Sequence, residues 1–123
     1  MTFTRLSRLA GVAGVVLIVV LSLIPGSYRP HTGAPGGLEH FLAYAATAVA
    51  LALGWRSLAQ GMLITVGLLV LACGLELAQL FVPGRSSDLV TALVSGLGGL
   101  CGVVLATGLG RWAASARSGG PGS

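Results

Sequence analysis

Four long apolar stretches, separated by three short interruptions, constrain this chain more than any other feature. The first runs from about Leu6 to Ile24 and closes at Pro25-Gly26, and the second runs from about Leu38 to Trp55. The third extends from about Gln60 to Phe81 and stops at Pro83-Gly84, and the fourth extends from Asp88 to about Leu109. Each approaches the roughly 20 residues that a helix needs to cross the hydrocarbon core of a bilayer. Four such crossings take up about 80 residues, and the chain has 123. Only loops and short tails remain, with no room for a soluble catalytic domain, a nucleotide-binding fold or a receptor head. Charged residues make up 8% of the chain, against about a quarter in a soluble domain. The expected fold is therefore all-α. It is a single integral membrane domain, 1–123, forming a four-helix transmembrane bundle with spans near 6–24, 38–55, 60–81 and 88–109. A disordered tail is expected over 112–123.

A cleaved signal peptide is the rival reading of the first stretch, because Arg5 and Arg8 precede an apolar core. That core is long for a signal peptide and no small-x-small cleavage site follows it, so a retained helix is expected. The segment from Pro25 to Gly37 holds three prolines and four glycines, which reads as a loop. Trp55-Arg56 has the composition of an interfacial anchor. Ser86 or Ser87 is suited to cap the fourth helix, with Asp88 favoured in its first turn by the helix dipole.

All seven basic residues are arginines, and the formal net charge is +4. They are scattered, whereas nucleic-acid binding needs them clustered on one face, so no nucleic-acid partner is expected. Sorted by alternate loops, Arg5, Arg8, Arg56, Arg111 and Arg117 fall on one side, and Arg29 and Arg85 on the other. The positive-inside rule then places both termini in the cytoplasm of a bacterial plasma membrane, N-in and C-in. Cys73 and Cys101 have no metal-ligand spacing and read as buried small apolar residues. No cofactor or metal is expected.

On this topology Glu39, Glu76, Asp88, His31, His40, Arg29 and Arg85 all gather at the outward face. Glu76 is the most informative. It precedes Pro83 by roughly 10 Å of helix, inside the apolar zone, where an ionised carboxylate costs a few kcal/mol unless it is protonated or paired. Gln79 and Cys73 share its helix face. His40 and Tyr44 stack on one face of the second helix, with Glu39 about 100° away. On the fourth helix Thr91, Ser95, Gly98, Gly102 and Ala106 form a stripe of small residues, and Gly98-x-x-x-Gly102 matches a close-packing pattern. Gly67 and Gly74, one heptad apart on the third helix, suit a crossing in the same bundle. Packing alone is the plainer reading of these glycines, helix pinning that of the acidic residues, and orientation signals or headgroup contacts that of Arg29 and Arg85.

Leu38-Glu39-His40-Phe41-x-x-Tyr44 resembles the first motif of VanZ-like membrane proteins. Glu76-x-x-Gln79-x-Phe81-x-Pro83-Gly84-Arg85 resembles their second, and the resemblance covers about residues 25–105. The chain departs from it where the family often carries an aspartate and an asparagine: Thr91 and Ser95 stand there, and Asp88 lies three residues after Arg85. The resemblance implies a small envelope membrane protein. The name-giving member is associated with resistance to the glycopeptide teicoplanin, and no reaction is implied.

Three functions compete. In the first, an outward polar pocket binds a lipid-linked or glycopeptide-type amphiphile. Arg85 and Arg29 meet its phosphate or carboxylate groups, Glu76 and Gln79 orient a headgroup, and His40 and Tyr44 complete the wall. Glu39, Asp88, Thr91 and Ser95 border the pocket, and the helix N-terminus adds backbone donors. In the second, Glu76 or His40 is the general base of an intramembrane enzyme acting on a lipid headgroup; no nucleophile motif supports it, so binding is expected over catalysis. In the third, the chain is a small exporter, but the first helix lacks the buried carboxylate such transporters use. Homo-oligomers through the glycine-rich helices are expected to be possible.

Overall fold

The computed structural model describes residues 2–24, 36–83 and 89–118, and every regular element in them is helical. Helix α1 spans Phe3–Leu23, α2 Gly36–Gly54, α3 Leu58–Gln79 and α4 Leu89–Ser118. All four are long and apolar enough to cross a membrane. The chain breaks where its chemistry demands. Thr2 caps α1 by accepting a hydrogen bond from the Arg5 amide at 3.2 Å. Ser57 and Gln60 form a reciprocal capping box at the start of α3, with bonds of 3.1 and 3.3 Å, so two otherwise orphaned amide groups are satisfied.

Two boundaries differ from the sequence expectation. The capping box starts α3 at Leu58 rather than at Gln60. Helix α4 continues past Leu109 through Trp112 to Ser118, so residues 112–118 are helical rather than a disordered tail. The stretch Trp112-Ala113-Ala114-Ser115-Ala116 is rich in alanine, the strongest helix former, and the first helix-breaking residues after it are Gly119, Gly120 and Pro121.

Packing centres on α2, which like α3 meets all three other helices, and which makes the two most extensive contacts. Its contact with α4 is the most extensive, followed by α1 with α2 and α3 with α4, while α1 and α4 do not approach each other among the described residues. Glycines set the closeness of the two main seams. A side chain on Gly98 or Gly102 would strike the backbone carbonyl oxygens of Phe41 and Ala45, one turn apart on α2. The small residues of α4 thus face inward, with Ser95, Gly98, Gly102 and Ala106 buried. At such spacing a glycine Cα–H can contact a carbonyl oxygen, a weak but recurrent interaction between helices. The pairing of Gly98 with Phe41 and Gly102 with Ala45 makes α2 and α4 parallel.

The α1–α2 seam is antiparallel. A Cβ on Gly11 would lie 2.5 Å from Leu51 Cδ2, and one on Gly14 would lie 2.6 Å from Thr47 Oγ1. One on Gly54 would lie 2.6 Å from Arg8 Cγ. The Arg8 guanidinium donates from Nε to the Gly54 carbonyl at 2.8 Å and lies 4.8 Å from the Trp55 ring centroid. Arg56 Nε donates to the Leu53 carbonyl at 3.0 Å, and its guanidinium lies 5.8 Å from the Phe3 ring. The Trp55-Arg56 pair therefore fastens the start of α1 to the end of α2.

Two packing expectations are corrected. Gly67 and Gly74 are exposed, with nothing near an added Cβ. The inward stripe of α3 is Gly61, Leu68, Ala72, Leu75 and Gln79, and the two glycines fall off it. Cys101 is exposed and Cys73 only half-buried, because Cys101 sits about 100° round the helix from its neighbour Gly102. Outward surfaces are otherwise large and apolar, Leu77, Leu80 and Phe81 on α3 among them, which suits a surface that meets lipid tails.

Candidate functional site

Both described acidic residues lie at the end of the bundle where α1 and α3 finish and α2 and α4 begin. Arg5, Arg8, Arg56 and Arg111 lie at the other end. The helices are arranged so that polar side chains point inward at the acidic end. Glu76 is only 8% exposed and Gln79 3%, while Leu77 and Leu80 between and beyond them face outward. The α-helical period produces this split: positions 72, 75, 76 and 79 share one face. Gln79 donates from Nε2 to the Ser22 carbonyl at 3.0 Å. That carbonyl belongs to the last turn of α1, where backbone acceptors lack an intrahelical partner, so the amide ties the ends of α1 and α3 together.

Across from α3, Tyr44 of α2 is 3% exposed and lies within electrostatic reach of both Glu76 and Cys73. The structure thus brings together Tyr44, Cys73 and Glu76, with Gln79 one turn beyond. Glu39 and His40 are half-buried in the first turns of α2, and His40 precedes Tyr44 by one turn on the same face. The register of the α2–α4 seam sets Ser95 level with those first turns. Ser95 is 1% exposed, and its hydroxyl donates to the Thr91 carbonyl at 2.8 Å. Thr91 is half-buried one turn above. None of Glu39, His40, Glu76 and Thr91 is without a partner. Among the described residues no buried side-chain nitrogen or oxygen lacks a hydrogen-bond partner, so the buried polar groups at this end are satisfied.

Arg29, His31, Arg85, Asp88 and the expected caps Ser86 and Ser87 lie outside the described residues. Among the described residues no three His, Cys, Asp or Glu side chains form a group that could hold a metal ion. One participant escaped the sequence reading. Ser22 contributes through its backbone carbonyl, for which a sequence carries no signal.

Fold and site together define a class: a chain whose described residues are all-helical, with four helices able to cross a membrane and buried, satisfied polar side chains at one end. No family model, curated protein or solved structure matches the chain.

Proposed function

We propose that this is a VanZ-like protein of a bacterial plasma membrane, with both termini cytoplasmic, whose outward end binds a lipid-linked or glycopeptide-type amphiphile. The observation that carries this reading is the inward-turned Glu76, buried in an apolar helix beside Tyr44 and one turn from Gln79. An ionisable side chain within a membrane span is expensive and by default functional. Packing alone would be served more cheaply by an apolar side chain of similar volume. In this reading Glu76 and Gln79 receive a polar headgroup, His40 and Tyr44 wall it, and Thr91 and Ser95 add hydroxyls where a carboxylate and an amide are usual in the resemblance. Arg85 and Arg29, which follow α3 and α1 in sequence, would meet the ligand's phosphate or carboxylate groups. Glu39 and Asp88 border the entrance.

The test is binding of labelled glycopeptide and of lipid-linked cell-wall precursor to the purified full chain. Arg85→Ala and Glu76→Gln should each weaken binding at least tenfold, and equal binding by wild type and both variants would overturn the proposal. The same carboxylate also serves a second reading, an enzyme in which Glu76 removes a proton from a bound headgroup. Lipid profiles of cells expressing wild type and Glu76→Gln separate the two: a product present only with wild type favours catalysis, and identical profiles favour binding.

A further inference from the structure

At the end of the bundle opposite Glu76, α3 and α4 leave a half-open cleft of about 850 Å³ between them. This lies within the roughly 300–1,000 Å³ typical of small-ligand sites. Gly61 and Thr65 of α3 form one wall, and Val103 and Thr107 of α4 form the other. Both threonine hydroxyls are occupied within their own helices. Thr65 donates to the Gly61 carbonyl at 3.0 Å, and Thr107 to the Val103 carbonyl at 2.9 Å. The walls therefore offer methyl groups and bare backbone rather than donors. The charged side chains lining the cleft are Arg56 and Arg111, and Ser57 is the one further polar side chain besides the two threonines. Arg56 is held there by the bond from its Nε to Leu53, and this uses one of the five N–H donors of a guanidinium. No acidic residue lines the cleft, and both described acids lie at the other end of the bundle.

We propose that this cleft binds an anionic, phosphate-bearing membrane lipid, with an acyl chain between α3 and α4 and the headgroup on Arg56 and Arg111. A mostly apolar trough whose charged lining residues are both arginines matches the two halves of such a molecule. Guanidinium groups bind phosphate through paired N–H donors, and a zwitterionic headgroup would bring its own cation against the same arginines. The site is separate from the proposed amphiphile pocket and independent of it.

Native mass spectrometry of the full chain tests the proposal, using phosphatidylglycerol and phosphatidylcholine of identical acyl chains. Phosphatidylglycerol should be retained preferentially. Arg56→Gln and Arg111→Gln should each lower its affinity about fivefold, the scale of one basic residue at an anionic surface. Val104→Trp, which fills the cleft from an exposed position lining it, should reduce retention of both lipids. Arg5→Gln removes a charge from the same end but outside the cleft and should leave retention unchanged. Arg111 is exposed, so its variant reports on binding without disturbing the packing. Equal retention of the two lipids overturns the proposal, as does an Arg5→Gln loss matching that of Arg111→Gln. A lipid-independent dimer that leaves the cleft without lipid would assign it to a second copy of the chain instead.

Discussion

Glu76 and Gln79 are neighbours on one helical face but do different work. Gln79 spends an amide hydrogen on the Ser22 carbonyl, a bond between helices whose loss in a membrane protein costs about 1 kcal/mol. Gln79→Leu should therefore lower the unfolding midpoint of the protein in mild detergent by a few degrees. It should also leave the α2–α4 seam intact. Glu76 should respond in the opposite sense. Glu76→Gln keeps size and hydrogen-bonding capacity while removing a charge that a membrane interior disfavours. Its unfolding midpoint should equal or exceed that of wild type while ligand binding falls. A variant that loses stability and keeps binding would make Glu76 a structural residue. The importance of Glu76 was legible from the sequence, because an acid seven residues short of Pro83 has to lie within the apolar zone. Its neighbour in space was not, because no spacing rule connects Tyr44 to a residue on another helix.

At the scale of elements, the seams are set by where side chains are missing. Gly98 and Gly102 place their empty faces on the carbonyl oxygens of Phe41 and Ala45. Adding even a methyl group forces two backbones apart, and overpacking of this kind costs about 1–3 kcal/mol. Gly98→Ala and Gly102→Ala should each lower the unfolding midpoint, whereas Gly67→Ala, open to its surroundings, should not. An equal effect at all three positions would show that the glycines matter for chain flexibility rather than for close approach. The Gly98-x-x-x-Gly102 pattern was readable in advance because small residues repeated on one face. Gly67 and Gly74 repeat just as regularly and face outward, since a period tells which residues share a face but not which way that face turns. Arg8 teaches a related lesson. Counted by charge it is a topology signal, yet it also bonds the Gly54 carbonyl and covers Trp55.

For the molecule as a whole, even numbers of crossings bring the start of α1 and the end of α4 to the same end of the bundle, away from Glu39 and Glu76. The four stretches and their order were evident from length and hydropathy alone. The neighbours were not: adjacent helices in sequence do not have to be the closest partners, and the main contact here joins α2 to α4. The proposed orientation is open to direct measurement in a background where Cys73 and Cys101 are replaced by alanine. Leu38→Cys should react with a membrane-impermeant thiol reagent in intact cells, and Ser115→Cys should react only after permeabilisation. The reverse pattern would turn the Glu76 end towards the cytoplasm and remove the basis for an external ligand.

The parallel α2–α4 seam also has a consequence for biosynthesis. Helix α2 leaves the ribosome well before α4 does, with the whole of α3 made between them. Until α4 arrives, the face of α2 bearing Phe41 and Ala45 is left uncovered. The most extensive interface among the described helices therefore comes into existence only with α4, so a nascent chain stalled before Leu89 would present an uncovered face of α2 to the quality-control proteases of the membrane.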